Sequence, residues 1–328
     1  MSGVTVVVPN WNRRDLLLEL LGDLRDQSQP VEEVLVVDNG STDGSAEAAQ
    51  AAGARVLRMD TNTGFSRAVN CGIRAAGTPW LAIMNNDVRP ARDWLERLLE
   101  RARQEEAWFA TGKLLESARP DRLDGTFDTI CRGACAWRAG KGRLDGPRWR
   151  QSRPIRLAPL TATLFRAELF EKVGLLDERF ESYLEDVDFG LRCAGKGYGG
   201  AYVPEAVAYH VGSATLGAWS PETVRRLSRN QLWLVAKHYP KKWIGRYGWP
   251  VLVAQALWGL LAARHGAGLA WMRGKLEGLR QFRAMRPVGG AAGQDDIGSI
   301  VDESERELLV LQRQTGFDLF WRLYFALT

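Results

Sequence analysis

Asparagine and aspartate recur at four points in the first ninety residues, each time directly after an apolar run. These residue types are common in turns, so a single occurrence needs no functional explanation. Four occurrences, each where a buried strand would end, are more than turn formation requires. The four polar groups are Pro9-Asn10, Asp38-Asn39, Asp60 to Asn62 with Gly64, and Asn85-Asn86-Asp87.

Three members of these groups indicate what could bind there. The Asp38 carboxylate can accept a hydrogen bond from the imide N–H of a nucleotide base. Gly64 would let the backbone approach a ligand, because it carries no side chain. Asp87 can bind a hard cation through oxygen. Together these features predict a site for a nucleoside diphosphate.

A second acidic group, Glu185, Asp186 and Asp188, falls at the predicted start of a helix. Acids in a first turn also stabilise the helix dipole, so a purely structural role stays open. His210 follows at the end of a strand-like run in which Pro204 predicts a break. A lone histidine is more often structural than a ligand, but the chain holds only three histidines. The intervening strand could return His210 to the crevice that holds the acids.

Alternating strand and helix patterns would position these groups. Their order implies right-handed crossovers and a doubly wound, mostly parallel α/β sheet with ligands at the carboxyl ends of its strands. Asn12 is the predicted N-cap of the first helix, whose leucines 17, 20, 21 and 24 share one face. The strand-like runs are VTVVV at 4–8, VLVVD at 34–38, RVLRM at 55–59 and WLAIM at 80–84.

After residue 90 the pattern is less regular, and 131–156 predicts a loop. We expect a catalytic domain over 1–213, with a nucleotide-binding half (1–90) and an acceptor half (91–213). A helical, Trp-rich region follows over 214–328, in which 286–299 predicts a flexible linker. The apolar run 249–263 is short for a bilayer span. The aromatic segment 317–328 could dock on the core, a partner or lipid.

Gly195, Gly197 and Gly200 match the spacing of the GxGxxG dinucleotide fingerprint. That fingerprint follows a strand and opens a helix, whereas this one follows a predicted helix and precedes a predicted strand. We therefore interpret it as a helix end and a turn. No P-loop sequence is present either.

Charge is distributed unevenly along the chain of 328 residues, whose net charge is +5. Thirteen Lys or Arg and five Trp stand against one acid over 224–286, and seven acids stand against two Arg over 295–318. A basic, Trp-containing stretch suits an anionic membrane surface. Nucleic acid is the other polyanion to consider, and we expect no nucleic-acid partner. Ordinary solvated helix faces remain an alternative.

The compartment follows from cysteine usage and the N-terminus. Cys131 and Cys135 lie four apart with no further ligand nearby, so we expect free thiols in a reducing compartment. The N-terminus leads directly into a strand-like run, so we expect no signal peptide. The predicted location is cytoplasmic, peripheral on the inner face of the plasma membrane.

Taken in order, the motifs resemble the family 2 glycosyltransferases. They are VVVPNWNR, VLVVDNGSTDGS, NTGFSRAVNCGI, MNNDV, VGLLDERFESYLEDVDFGLRCAGKGY and AYHVGS, which together cover Val4 to Ser213. Within the family, the chain is most similar to rhamnosyltransferase-like and galactofuranosyltransferase-like bacterial members. VVDNGSTDGS combined with the Glu-Asp helix is highly specific, whereas either piece alone would not be.

The resemblance implies a GT-A fold, inversion at the anomeric carbon and a dTDP- or UDP-sugar donor. Asp186 would be the general base, and Asp87 would hold Mg²⁺ or Mn²⁺ with His210 and Asn85. Asn85 replaces the first acid of the family's DxD motif, so metal binding would depend more on the diphosphate and His210. The donor contacts implied by position are Pro9, Asn10, Asn12, Asp38, Asn39, Asn62, Gly64, Asn70 and Asn86.

The predicted function is an inverting, metal-dependent transfer of a rhamnose-like sugar to a hydroxyl of a cell-surface glycan or lipid-linked acceptor. A carboxylate base and a cation are what this reaction needs. A homodimer is a candidate assembly. One alternative is a non-catalytic glycan- or membrane-binding scaffold. The other is a sugar-nucleotide nucleotidyltransferase, which would need a Gly-rich phosphate loop where this chain has PNWNRRD.

Overall fold

The computed structural model describes residues 3–212, 219–240, 242–286 and 294–328. The chain divides into two compact units. The first unit contains residues 3–127, 140–193 and 198–212. The second contains residues 128–139, residues 194–197 and the described residues after 212.

Strands and helices alternate through the first unit, and helices dominate the second. The strands in chain order are β1 (Val4–Asn10), β2 (Glu33–Asp38), β3 (Arg55–Arg58), β4 (Trp80–Met84), β5 (Val88–Pro90), β6 (Phe109–Glu116), β7 (Arg119–Gly125), β8 (Asp128–Ile130), β9 (Ala136–Arg138), β10 (Arg153–Ile155), β11 (Ala162–Arg166) and β12 (Gly200–His210). The helices are α1 (Arg14–Arg25), α2 (Ser45–Ala51), α3 (Phe65–Ala75), α4 (Trp94–Gln104), α5 (Glu168–Val173), α6 (Glu185–Gly195), α7 (Pro221–His238), α8 (Trp243–Arg264), α9 (Gly268–Met285), α10 (Gln294–Thr315) and α11 (Leu319–Leu327).

The sheet of the first unit runs in the order β10-β12-β6-β11-β4-β1-β2-β3, with β5 beside β12 and β7 beside β6. Strands β1 to β4 pair in parallel, as their sequence pattern predicts. Beyond β4 the sheet is mixed, since β11 runs antiparallel to both β4 and β6. Strands β6 and β12 are parallel again. The predicted mostly parallel α/β sheet is therefore confirmed.

Strand β1 shows why these sequences form buried strands. Its side chains alternate between two faces, as the period of two requires. Val6 and Val8 pack in a core cluster that includes Leu17 and Leu20 of α1. Val7 packs instead in a cluster that contains residues of β2 and α3. Because both faces are covered, the strand is a continuous apolar run.

The prediction for the start of α1 is wrong. Asn12 is not the N-cap, because helix α1 begins at Arg14 and Arg13 takes the capping position in a left-handed conformation. The Arg14 N–H donates instead to Asp43 of the neighbouring loop, at 3.0 Å. The Asn12 side chain accepts from the Thr42 N–H at 3.0 Å, so it joins the loops after β1 and β2.

The predicted break at Pro204 lies where the pairing of β12 with β6 shifts register, between Val203 and Val207, although β12 itself continues. Another local prediction needs correction. The predicted loop 131–156 contains β9, β10 and a short 3-10 helix at Pro147–Arg150. The turn reading of the three glycines is confirmed, since α6 ends at Gly195 and Gly197 has a φ of +79°.

The second unit contains α7 to α11 and the β8–β9 hairpin, and it provides the predicted C-terminal helical extension. Part of the predicted linker is wrong, because Gln294 to Ser299 form the start of α10. Residues 287–293 of that linker lie outside the described residues. Within the described residues, none of the helices combines the length and the apolarity needed to cross a bilayer.

Candidate active site

The ends of β1, β2 and β4 bring three predicted donor contacts together. The Asn86 amide donates to Asn10 Oδ1 at 2.7 Å, and the Asn10 amide donates to Asp38 Oδ1 at 3.3 Å. Asp38 also accepts from the Ser41 N–H at 3.2 Å. Asn10, Asp38 and Asn86 are all buried. Adjacent parallel strands end at one edge of the sheet, so these side chains form what we call the amide network.

Asn39 and Asn62 organise the loop between β3 and α3. The Asn39 amide donates to Asn62 Oδ1 and to the Gly64 carbonyl, each at 3.1 Å. Asn39 Oδ1 accepts from the Thr63 N–H at 2.9 Å, and Asn62 Oδ1 accepts from the Gly64 N–H at 3.0 Å. These contacts fix the shape of the loop that carries Asn62 and Gly64, two of the predicted donor contacts.

Gly64 closely approaches a second loop of this chain, and the predicted approach of a ligand stays a prediction. Its φ is +92°, and an added Cβ would lie only 3.0–3.2 Å from backbone atoms of Glu181. The close approach that requires glycine is therefore between two loops of this chain. The Ser66 N–H completes the junction by donating to the Glu181 carbonyl at 2.9 Å.

The loop that leads into α6 is locally strained. Glu181, Tyr183 and Leu184 all have positive φ, at 62°, 75° and 66°. Non-glycine residues rarely adopt this conformation, and they concentrate at functional sites where surrounding contacts hold them. The junction with Gly64 supplies such contacts at Glu181. The strain therefore lies directly before the helix that carries Asp186.

Asp186 occupies the second position of α6, where the helix dipole favours the ionised carboxylate. It is half-buried, and its Oδ1 accepts from the Val187 N–H at 2.8 Å. Asp188 differs, because it is fully buried and pairs with Arg192 at 3.0 Å. Arg192 also donates to the Leu175 carbonyl at 2.8 Å, so Asp188 fastens α6 to the preceding loop.

Two further predicted donor residues, Pro9 and Asn70, are not part of the hydrogen bonds described for the amide network. Pro9 lies half-buried in β1, in register with Val37 of β2. Asn70 donates to the Leu176 carbonyl at 2.9 Å and accepts from the Leu176 N–H at 3.0 Å. It also donates to Glu178 at 3.0 Å. The Asn70 amide is thus engaged in fastening the 176–178 loop, and a donor contact at this residue stays a prediction.

Asp87 and His210 meet because β5 pairs with β12. His210 lies in register with Val88, the residue after Asp87. His210 Nε2 lies 3.2 Å from Asp87 Oδ1, and both side chains are almost completely buried. The Val211 N–H donates to the Asp87 carbonyl at 3.1 Å and so holds the two segments together. The structure therefore joins two of the predicted metal ligands.

Asp124 completes this arrangement on the other side of the imidazole. Its Oδ2 lies 2.8 Å from His210 Nδ1, and its Oδ1 accepts from Lys141 Nζ at 2.7 Å. We call Asp87, His210 and Asp124 the carboxylate–histidine cluster. Burial lowers the pKa of His210, but hydrogen bonds to Asp124 and Asp87 outweigh it and raise the pKa to about 9.

Sequence reasoning missed Asp124 and Lys141. The tetrapeptide Arg-Leu-Asp-Gly occurs at 122–125 and again at 143–146. Both aspartates accept from a lysine, Asp124 from Lys141 and Asp145 from Lys113. Repetition alone does not show which aspartate contacts a histidine, because β7 and β12 are far apart in the sequence.

The donor atoms at this position suit a divalent cation that also binds phosphate. An imidazole whose second nitrogen is held by a carboxylate is a common arrangement in metal sites. Asn85 Oδ1 is buried with no hydrogen-bond partner in the described part of the chain, so it keeps an acceptor available. No group of three or more His, Cys, Asp or Glu side chains among the described residues is arranged to hold an ion. Asp87, His210 and Asn85 would thus need phosphate oxygens as further ligands, as is usual for Mg²⁺.

Comparison with known proteins shows the family of this chain. The family described as Glycosyl transferase family 2 matches residues 5–174, and the chain belongs to that family. One relative is the N-acetylglucosaminyl-diphospho-decaprenol L-rhamnosyltransferase of Mycobacterium tuberculosis, 30% identical over 205 residues. The alignment covers 54% of this chain and 66% of that protein, just under two thirds of its length.

Solved structures show the same fold at low sequence identity. GalNAc-T7 with UDP, GalNAc and Mn²⁺ matches with a TM-score of 0.65 and 12% identity, covering 97% of this chain and 58% of that one. A mannosyltransferase from Pyrobaculum calidifontis, in complex with GDP-Man and Mn²⁺, matches with a TM-score of 0.53 and 17% identity, covering 98% and 86%. The chain therefore has the GT-A fold of glycosyltransferases.

Proposed function

We propose that this family 2 glycosyltransferase moves a rhamnose-like sugar, with inversion, from a dTDP- or UDP-sugar to a hydroxyl of a cell-surface glycan or lipid-linked acceptor. The observation that carries the proposal is the presence of the amide network and the carboxylate–histidine cluster in one unit. The first offers groups for a nucleoside, and the second offers ligands for a cation beside its diphosphate. The mycobacterial rhamnosyltransferase supports the choice of sugar.

Asp186 is the proposed general base. Its carboxylate takes the proton of the acceptor hydroxyl while that oxygen bonds to the anomeric carbon and the bond to the diphosphate breaks. The nucleoside diphosphate leaves with the electron pair of the broken bond. The start of α6 keeps the Asp186 carboxylate ionised, as a base must be.

Asp87, His210 and Asn85 are the proposed ligands of Mg²⁺ or Mn²⁺, which would supply charge neutralisation for the departing diphosphate. Asp124 holds the imidazole by accepting from Nδ1, so that Nε2 points to Asp87. Asp38 is the proposed hydrogen-bond partner of the nucleotide base, with Pro9, Asn10 and Asn62 around the nucleoside.

The test combines a donor screen with an Asp186→Asn variant of the full chain. Thermal shift with dTDP- and UDP-sugars, with Mn²⁺ or with a chelator, identifies the donor class. Release of nucleoside diphosphate then measures turnover, and NMR of the product gives its anomeric configuration. We expect Asp186→Asn to keep the donor-induced shift and to lose about a hundred- to ten-thousandfold in turnover.

A matched variant is Asp177→Asn, which makes the same change at a carboxylate that pairs with Arg179. It should retain turnover. Full turnover by Asp186→Asn would show that another group is the base. Donor binding without turnover by the unmodified chain, in the presence of acceptor lipids, would favour the non-catalytic scaffold.

A further inference from the structure

Helix α8 carries a stripe of apolar side chains that the described residues of the chain leave exposed. Trp249, Leu252 and Leu260 are 58%, 60% and 69% exposed. Ala256 and Ala263, which are also exposed, fall on the same face at helical spacing. A contiguous exposed apolar surface commonly marks a site that binds another protein, a ligand or a membrane.

Similar stripes on α9 and α11 adjoin it. Leu269, Leu276 and Leu279 are exposed along α9, and Leu323 and Leu327 along α11. The Trp249 indole donates to the Leu327 carbonyl at 2.7 Å, which joins α8 to α11. An added Cβ at Gly259 would lie 2.7 Å from the Trp271 ring, so α8 and α9 also touch. We define the apolar face as eight large side chains that are exposed on these three helices: Trp249, Leu252, Leu260, Leu269, Leu276, Leu279, Leu323 and Leu327.

Arginines follow the leucines of α9 at regular spacing. Arg273, Arg280 and Arg283 each lie four residues after one of its exposed leucines, so they flank the stripe. All three are exposed, and none forms an ion pair with a residue that the structure describes. The face therefore combines apolar side chains with uncompensated positive charge.

Three acidic residues of the second unit pair with other arginines. Helix α10 supplies Asp302 to Arg246 and Glu305 to Arg132. Glu277 of α9 pairs with Arg225 of α7. These pairs neutralise arginines elsewhere in the second unit. The three arginines of α9 beside the apolar face keep their charge without an ion pair among the described residues.

We propose that the apolar face docks on a bilayer that contains anionic lipids, with α8, α9 and α11 lying in the interface and their arginines at the headgroups. Helices of this kind bury leucines at the acyl boundary and hold their cations against anionic headgroups. A second copy of the chain suits the face less well, because a symmetric contact would bring arginines together.

The structure also shows which tryptophans are exposed and could contact a membrane. Trp233 is buried within the second unit, and Trp243, Trp258 and Trp271 are partly covered. Among the five tryptophans of the basic stretch, Trp249 is the one that belongs to the apolar face. Docking therefore depends chiefly on leucines, a feature that the Trp content of the sequence did not indicate.

The proposed docking does not depend on the proposed transfer reaction. The experiment accordingly uses acceptor-free vesicles and the full chain. Co-sedimentation is measured with phosphatidylcholine vesicles and with vesicles that also contain phosphatidylglycerol. We expect binding to the anionic vesicles, reduced about tenfold by Leu252→Ser with Leu260→Ser. Arg280→Gln should reduce it about fivefold on anionic vesicles alone.

Matched controls come from the first unit. Leu144→Ser changes an exposed leucine, and Arg103→Gln changes an exposed arginine of α4, and neither should alter binding. Equal binding by Leu252→Ser with Leu260→Ser and by the unmodified chain would overturn the proposal. Self-association in analytical ultracentrifugation that the same leucine substitutions abolish, without vesicle binding, would also overturn it and assign the face to a second copy.

Discussion

The amide network and the carboxylate–histidine cluster lie in the same unit but are assembled differently. The network joins Asn10, Asp38 and Asn86 at the ends of three strands that neighbour each other in the sheet. The cluster joins positions 87, 124 and 210, which meet because β5 and β12 pair beyond the parallel region. The network is built at the ends of neighbouring parallel strands, and the cluster depends on the pairing of strands that are far apart in the sequence.

The two regions also differ in charge. Asp38 is the single ionisable side chain of the three-residue network, whereas the cluster places an imidazole between two carboxylates in a buried setting. Substitutions in the network should therefore change donor affinity and loop shape. Substitutions in the cluster should change the response to metal and to pH.

Between these two regions, the largest effect is expected from Asp87→Asn. The substitution removes the single carboxylate among the three ligands proposed for the cation. Turnover should therefore fall about a hundred- to a thousandfold at saturating Mn²⁺. The measurement is release of nucleoside diphosphate. Asp121→Asn, an exposed aspartate of β7, is the control and should retain turnover. Unchanged turnover in Asp87→Asn would remove Asp87 from the metal site.

The pKa of His210 predicts the next effect, in metal-free protein. Since the folded-state pKa is raised from 6.5 to about 9, its contribution to stability is complete below about pH 6.5 and is lost as pH rises through about 9. Linkage gives a contribution of about 3 kcal/mol to the free energy of unfolding. The measurement is urea unfolding of the chelator-treated protein across this pH range. Comparison with His210→Asn isolates the contribution of His210 to the free energy of unfolding. Equal pH dependence in both proteins would contradict the prediction.

The strand ends could be predicted from sequence, because apolar runs and polar ends repeat with the period of a parallel α/β sheet. The association of Asp87 with His210 was implied by the family resemblance. The contact of Asp124 with His210 was not predicted, since no local sequence pattern shows which strand lies near β7. Asn12 was misassigned because Asp43, from another loop, takes the Arg14 N–H. The contact of Gly64 with Glu181 could not be predicted, because the two residues are more than a hundred positions apart in the sequence.

Asp124→Asn separates positioning from ligation within the cluster. The amide can still contact His210 Nδ1 but no longer carries the charge, so apparent Mn²⁺ affinity should fall about ten- to a hundredfold. Turnover at saturating Mn²⁺ should change much less, a split that a loss of folding would not produce. Asp145→Asn is the control, because it sits in the second Arg-Leu-Asp-Gly and pairs with Lys113. Equal Mn²⁺ titrations for both variants would show that Asp124 does not position His210.

Asn70→Ala is the smallest change and tests the boundary of the donor site. The substitution leaves the Leu176 N–H and carbonyl without their buried partner, so the free energy of unfolding should fall by about 1–3 kcal/mol. The same variant tests the predicted donor contact of Asn70, because its observed contacts are with the 176–178 loop. Asn86→Ala, within the amide network, should weaken donor binding in a thermal-shift titration, and Asn70→Ala should weaken it less. Unchanged donor binding in Asn70→Ala, at a temperature where it is fully folded, would remove Asn70 from the predicted donor contacts.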